Sequence, residues 1–197
     1  MPLEPLTAVS SIDGRYRTIA AELTEHFSEF GLIRARLLVE TEYLIALSEA
    51  GAGMRKLSSE EKTVLQQLPH ISTEEAKEVK KIELETNHDV KAIEYFIKKK
   101  LAGTSLKDIA EWTHFALTSE DINSIANGVM LRGALQAVIL PALEEIRTSL
   151  DTNATANAST AMLARTHGQP ASPTTFGKEM RVFVSRLARQ LEQLRNR

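Results

Sequence analysis

The sequence predicts an all-α protein. Three observations carry that prediction. Ala, Leu, Glu, Lys and Arg, the strong helix formers, dominate a chain with few aromatic residues and only 9 glycines. Apolar residues recur at helical spacing over long stretches, while period-2 alternation is hard to find anywhere. Caps of the Ser-x-x-Glu type stand in front of several of those stretches.

The elements follow in order. The first segment, to about Gly14, reads as irregular. A long helix is expected over about 18–50, where Phe27, Phe30, Leu37, Leu38, Tyr43, Leu44 and Leu47 keep one side apolar and the Gly-Ala-Gly run at 51–53 stops it. Ser58 with Glu61, and Ser72 with Glu75, read as capping boxes, so a short helix should begin at each; Leu-Pro-His at 68–70 separates them. Asn87 is expected to cap the next helix, with Asp89 in its first turn, where the helix dipole favours negative charge. Val90, Ile93, Phe96 and Ile97 form its apolar side, Lys98, Lys99 and Lys100 complement its C-terminal end, and the run 102–105 closes it.

Another helix is expected over about 106–116. Thr118 or Ser119 then caps a helix ahead of Glu120 and Asp121, and a stripe of Ile122, Ile125, Ala126, Val129, Met130, Ala137 and Val138 carries it a long way. Pro141 lies inside the pattern and should kink the helix rather than end it. The polar tract 151–160 reads as helix continuing weakly or as a loop. The last helix is expected to start with Ser172 as N-cap and Pro173 at N1. It runs through Phe176, Met180, Val184, Leu187, Leu191 and Leu194 to the final residue without a C-cap, which suggests a fragment of something longer.

Composition bounds the function. The chain has 197 residues, 43% hydrophobic and 25% charged, with a net charge of −2, values ordinary for a soluble globular protein. No basic excess favours nucleic acid or an anionic membrane. No apolar run approaches the roughly 18 residues of a membrane span. The N-terminus, with Pro2, Glu4 and Pro5, does not read as a signal peptide. The absence of cysteine excludes disulfides and thiolate metal ligands and makes a cytoplasmic location the default.

Candidate functional residues gather at three breaks: Thr-Asn-His-Asp-Val, Leu-Thr-Ser-Glu-Asp and Arg-Thr-His-Gly-Gln-Pro. Each places hydroxyl, amide or imidazole groups beside a predicted helix start, where unpaired N–H groups and the dipole suit carboxylates and phosphates. Capping alone accounts for Asn87, Thr118, Ser119 and Ser172 equally well. His167 caps nothing. It sits before Gly168, which is free to take positive φ, and near Pro170, which prevents helix. It reads either as a surface loop residue or as a proton donor or acceptor facing a cleft, since an imidazole titrates near neutral pH. His88 and Asp89 read as a binding or proton-transfer pair, or as a first-turn dipole pair. His114 lies one turn before Thr118 and is within reach of the same pocket. His26 and His70 read as structural, Lys178 and Glu179 as an exposed face. No His-Glu-x-x-His spacing and no Gly-rich phosphate loop is present.

Together, Ser-Ser-Ile-Asp-Gly-Arg-Tyr at 10–16, Thr-Asn-His-Asp-Val-Lys-Ala at 86–92, His-Phe-Ala-Leu-Thr-Ser-Glu-Asp-Ile-Asn at 114–123 and Arg-Thr-His-Gly-Gln-Pro-Ala-Ser-Pro at 165–173 resemble the adenylosuccinate lyases, most of all the bacterial ones, within the fumarase/aspartase superfamily. The resemblance runs from about Leu6 to the end. It implies an N-terminal helical domain over 1–116 and the first part of a central long-helix bundle over 117–197. It implies β-elimination of fumarate from adenylosuccinate, giving AMP, and from succinylaminoimidazole carboxamide ribotide. It also implies a homotetramer with sites built from three subunits, a purine nucleotide as the small-molecule partner, and no metal or redox cofactor.

Residue by residue, the resemblance implies that Arg15 and Tyr16 bind the nucleotide. Asn87, His88 and Asp89 form a second substrate-binding element, Thr118 and Ser119 a third. His114 and Thr166 line the site, and His167 is the general acid. One departure stands out. The family's general base is a serine on a Ser-Ser-x-Met-Pro-x-Lys-x-Asn loop, a pattern absent from these 197 residues, so the isolated chain is expected to be inactive. Two other readings are a different fumarate-releasing lyase of the superfamily and a helical assembly domain without catalysis. The second leaves His88 and His167 at polar breaks unexplained.

Overall fold

The computed structural model describes residues 6–51 and 53–196; Pro2, Glu4, Pro5, Ala52 of the expected helix stop and Arg197 lie outside the described residues. Two compact units result, Met1–Ala134 and Leu135–Arg197. The described chain is helical apart from turns and one small two-stranded sheet.

In the first unit, turns and a 3-10 segment, Ala21–Leu23, lead into a short α1, Thr24–Phe27. The expected long helix begins later than about residue 18: α2 spans Glu29–Ala50. Ser28 is the reason. Its backbone is extended (φ −83°, ψ 168°) and its Oγ accepts the Gly31 N–H at 3.1 Å, so it caps a new helix. Gly51, at φ 67°, ends α2 in the left-handed conformation.

Both expected capping boxes form. Ser58 and Glu61 start α3, Ser59–Gln67, and Ser72 and Glu75 start α4, Thr73–Thr86. Then come α5, Asp89–Leu101, and α6, Ser119–Ala134. The helix expected over 106–116 is instead a 3-10 segment, Lys107–Trp112, followed by turns in which His114 and Ala116 take φ of 64° and 58°.

The core explains the order. Leu37, Leu44, Leu65, Ile93, Phe96, Ile97, Leu101 and Leu106 are fully buried and join α2, α3, α5 and the 3-10 segment. A second cluster, Ala35, Val39, Val90, Ile122 and Ala126, packs the opposite side of α2 against the starts of α5 and α6. Because α2 is covered on both sides, its buried set also takes in Arg36, Glu40 and Thr41.

Outside the core, Arg55 clasps Glu61 at 2.8 Å and Asp108 at 2.6 Å, and Lys100 holds Glu75 at 2.6 Å. The Arg55 hydrogen bond, then the Ser58 N–H, hold the Glu61 carboxyl down to about 2; Lys100 and the Ser72 N–H do the same for Glu75, also to about 2. Depressed carboxyls add stability above their ordinary value of 4.5 that is lost as pH falls toward 2. Glutamine at both positions keeps the capping geometry and removes the charge. Urea unfolding of Glu61→Gln/Glu75→Gln is therefore expected to show lower stability at neutral pH and a shallower loss between 4.5 and 2 than the parent. Identical slopes would contradict this.

In the second unit, a π-helical turn, Leu135–Ile139, precedes α7, Leu140–Ala156. The turn provides the adjustment that Pro141, lacking an N–H, requires of the preceding backbone. Of the polar tract 151–160, the part to Ala156 is helical and the rest is turn. Next comes the main departure from the all-helical expectation. Ala161–Thr166 and Gln169–Thr175 form an antiparallel hairpin, β1–β2, with an irregularity between Leu163 and Arg165. Consequently Ser172 and Pro173 are strand residues, and Thr175 caps α8, Phe176–Arg195, its Oγ1 accepting the Lys178 N–H at 3.2 Å. Gly177 lets α8 approach α7: a Cβ there would lie 2.3 Å from the Ala154 carbonyl oxygen.

The 38 residues Ser119–Ala156 hold a window of mean hydropathy 1.3, long and apolar enough to cross a membrane by length and composition, although no uninterrupted apolar run of that length is present. Only 11% of that window is buried within the chain, and Asn123, Asn127, Arg132 and Gln136 interrupt the apolar pattern of the helix.

Candidate active site

The N-termini of α5 and α6 meet over α2, and there the structure gathers most of the expected site residues. Asn87 is not the N-cap that the sequence suggested. It ends α4 in the left-handed conformation (φ 50°, ψ 34°), which its short polar side chain tolerates. The cap of α5 is His88, whose Nδ1 accepts the Lys91 N–H at 3.1 Å. A neutral ring that accepts at Nδ1 carries its hydrogen on Nε2. That nitrogen lies 3.5 Å from Ser119 Oγ, the outer limit of a hydrogen bond. The side chain of His88 is half-exposed, so its Nε2–H is free to turn to a ligand oxygen.

Asp89 is fixed from behind. Its Oδ1 accepts the Val90 N–H at 2.8 Å, and its Oδ2 accepts from Arg36 Nη2 at 2.6 Å. Burial alone would raise this carboxyl; the Val90 N–H and the Arg36 guanidinium outweigh burial and hold it below its ordinary value. Arg36 also donates from Nε to Asn123 Oδ1 on α6 at 2.9 Å. One arginine, only 6% exposed, thus ties α2 to the starts of both α5 and α6.

Thr118 is exposed just before α6, and its N–H donates to Asp121 Oδ2 at 2.7 Å. The turn leading there is held by α2. Tyr43 Oη donates to the Phe115 carbonyl at 3.0 Å, and His114 Nδ1 lies 2.6 Å from Glu40 Oε1. Burial pushes the Glu40 carboxyl up, against the hydrogen bond and charge of His114.

In the second unit, Thr166 and His167 stand at the hairpin tip. His167 and Gly168 form a two-residue loop with φ of 50° and 76°, the combination that matches strand twist in a tight hairpin. Both Thr166 and His167 are exposed. In the first unit, Arg15 lies over the Tyr16 ring at 5.4 Å, in the turn-rich N-terminal segment. Among the described residues, no hydrogen bond, ion pair or ring contact joins these two to His88 or Ser119.

Sequence reasoning missed Arg36, Glu40 and Asn123. The signal was present for two of them: Arg36 and Glu40 are four apart on the otherwise apolar face of α2, where a charge needs a partner. His26 and His70, expected to be structural, border one cleft with Arg34 and Met130. Among the described residues, no three His, Asp or Glu side chains stand close enough to hold a metal ion.

What the arrangement offers chemically is a set of hydrogen-bond donors: His88 Nε2–H, the Ser119 and Thr118 hydroxyls and the first turn of α6. Such a set suits a carboxylate or a developing oxyanion.

Comparison with known proteins gives a consistent picture. The family described as Lyase matches residues 14–197. Adenylosuccinate lyase of Legionella pneumophila strain Corby is 42% identical over 198 residues, spanning 98% of this chain and 43% of the relative. That of Escherichia coli K12 is 42% identical over 199 residues, with the same coverage. The chain therefore spans less than half the length of these relatives. Among solved structures, a fumarate lyase from Mesorhizobium sp. BNC1 superposes with a TM-score of 0.72 at 22% identity, over 89% of this chain and 39% of that one. A β-carboxy-cis,cis-muconate cycloisomerase from Acinetobacter calcoaceticus does so at 0.71 and 20%, over 89% and 40%. These two establish the fold.

Proposed function

The chain belongs to the lyase family, and from that premise we propose that it carries part of the active site of an adenylosuccinate lyase, a carbon–nitrogen lyase of purine and AMP synthesis. The observation that carries the proposal is the convergence of His88, Asp89 and Ser119 at two helix N-termini, in a chain 42% identical to enzymes of that activity. In the proposed reaction a base takes the proton beside a succinyl carboxylate. Negative charge spreads onto that carboxylate, and the nucleotide nitrogen leaves with a proton.

His88, Thr118 and Ser119 donate to the carboxylate as charge builds. In the first unit Asn87, Asp89 and His114 complete the binding surface, and Arg15 and Tyr16 hold the nucleotide; in the second, Thr166 binds substrate. His167 protonates the leaving nitrogen. The general base is not among these residues, since the serine loop is absent from the sequence, so the 197-residue chain alone is expected to be inactive. A cytoplasmic homotetramer is the proposed working form. Exposed Ile125 and Leu131 of the first unit and Ile146 and Phe183 of the second support burial against further copies.

The test is substrate choice. The full-length gene product is expected to release fumarate from adenylosuccinate and not from argininosuccinate. Release from argininosuccinate alone would replace the purine reading with another lyase of the superfamily.

A further inference from the structure

The Glu40 carboxylate is fully buried on α2, yet only one of its oxygens is engaged. Oε1 meets His114 Nδ1 at 2.6 Å, while Oε2, and nearby in sequence to His114 the Thr113 Oγ1, have no hydrogen-bond partner among the described residues. An ionisable side chain at 0% exposure with half its acceptors idle is costly. Packing alone gives no reason for it, because an apolar side chain of similar volume would fill the same space. What it holds is informative. His114 is a non-glycine residue at φ 64°, two residues before Ala116 at φ 58°. Both conformations cost energy unless the surroundings fix them. The His114 carbonyl accepts the Leu117 N–H at 3.2 Å, so the turn it opens runs directly into Thr118 and the start of α6.

We propose that Glu40 is a positioning residue, which through its hydrogen bond fixes the tautomer of His114 and the strained turn that presents Thr118 and Ser119. With Nδ1–H donated to Glu40, the other ring nitrogen carries a lone pair. Among the described residues Nε2 of His114 has no partner, and the ring is partly open to solvent. His114 therefore offers an acceptor where His88, in the opposite tautomer, offers a donor. The two imidazoles thus differ in the polarity that they present at their free nitrogens. The functional half of this inference rests on the lyase reading above; the tautomer does not.

The test compares wild type with Glu40→Gln, whose amide oxygen still accepts from Nδ1–H, and Glu40→Leu, which does not accept. Long-range ¹H–¹⁵N spectra of the 197-residue chain are expected to show the hydrogen of neutral His114 on Nδ1 in wild type and in Glu40→Gln, and on Nε2 in Glu40→Leu. In the full-length gene product, kcat/KM for adenylosuccinate is expected to fall at least about tenfold in Glu40→Leu, mostly through kcat, and to return to within about threefold of wild type in Glu40→Gln. A wild-type His114 with its hydrogen on Nε2 overturns the proposal even if both variants fail to fold. So does a folded Glu40→Leu enzyme with unchanged kcat/KM. If wild type releases no fumarate at all, the lyase reading falls, and the spectra still decide the tautomer.

Discussion

His167→Asn in the full-length gene product is expected to slow fumarate release by about 10²–10⁴-fold, the usual contribution of a positioned general acid. The variant is chosen for the backbone. His167 sits at φ 50° in a two-residue hairpin loop, and asparagine is among the few residues that adopt this region without much strain. The imidazole is exposed and, among the described residues, makes no hydrogen bond or ion pair, so its removal costs little stability, on the order of 0.5 kcal/mol. A slower enzyme with an unchanged thermal midpoint thus reports chemistry and not folding. Wild-type rates from His167→Asn would remove the residue from the proton-transfer role.

The second large effect lies at Arg36. Arg36→Met keeps the apolar stem and deletes the guanidinium that joins Asp89, at 2.6 Å, to Asn123, at 2.9 Å. Breaking a buried ion pair from one side costs about 3–5 kcal/mol. Here Asp89 is 45% exposed and regains water, which brings the expected loss to about 1–3 kcal/mol. The pH dependence follows from Asp89. Its carboxyl is held below the ordinary value of 3.8, so the Arg36 contribution is full above that value and disappears as pH falls through the depressed one.

Urea unfolding at neutral pH and at low pH checks this: the gap between wild type and Arg36→Met should close in acid. Function should suffer as well, because His88 and Asp89 are then no longer tied to α6; kcat/KM is expected to drop at least about tenfold. Lysine at this position, a point charge without the fork, should recover little of it. A variant as stable and active as the parent would show that the α2–α5–α6 junction does not depend on this arginine.

These two residues also mark what the sequence makes legible. Ser58 and Ser72 announce α3 and α4, because a capping box is a local device: a serine, a glutamate three residues on, and nothing distant. Polar breaks also mark the starts of α5 and α6, but the cap of α5 is His88 rather than the expected Asn87. Ser28 was not legible, because it interrupts a stretch that remains apolar at helical spacing on both sides. The hairpin was hidden more deeply. Its strands carry two prolines and little alternation, and its loop is His-Gly rather than the usual Asn-Gly. Of the candidate site, the hydroxyls and imidazoles stood out at their breaks. Arg36, Glu40 and Asn123 did not, because their partners lie 53, 74 and 87 positions away along the chain, and only the packed fold brings them together.

The central claim is that the cluster at the starts of α5 and α6 serves elimination of fumarate from a purine nucleotide. The most direct measurement incubates the full-length gene product with adenylosuccinate and follows both products, with the 197-residue chain alongside. The account expects fumarate and AMP in equal amounts from the former and neither from the latter. A folded full-length protein that forms neither product would contradict it.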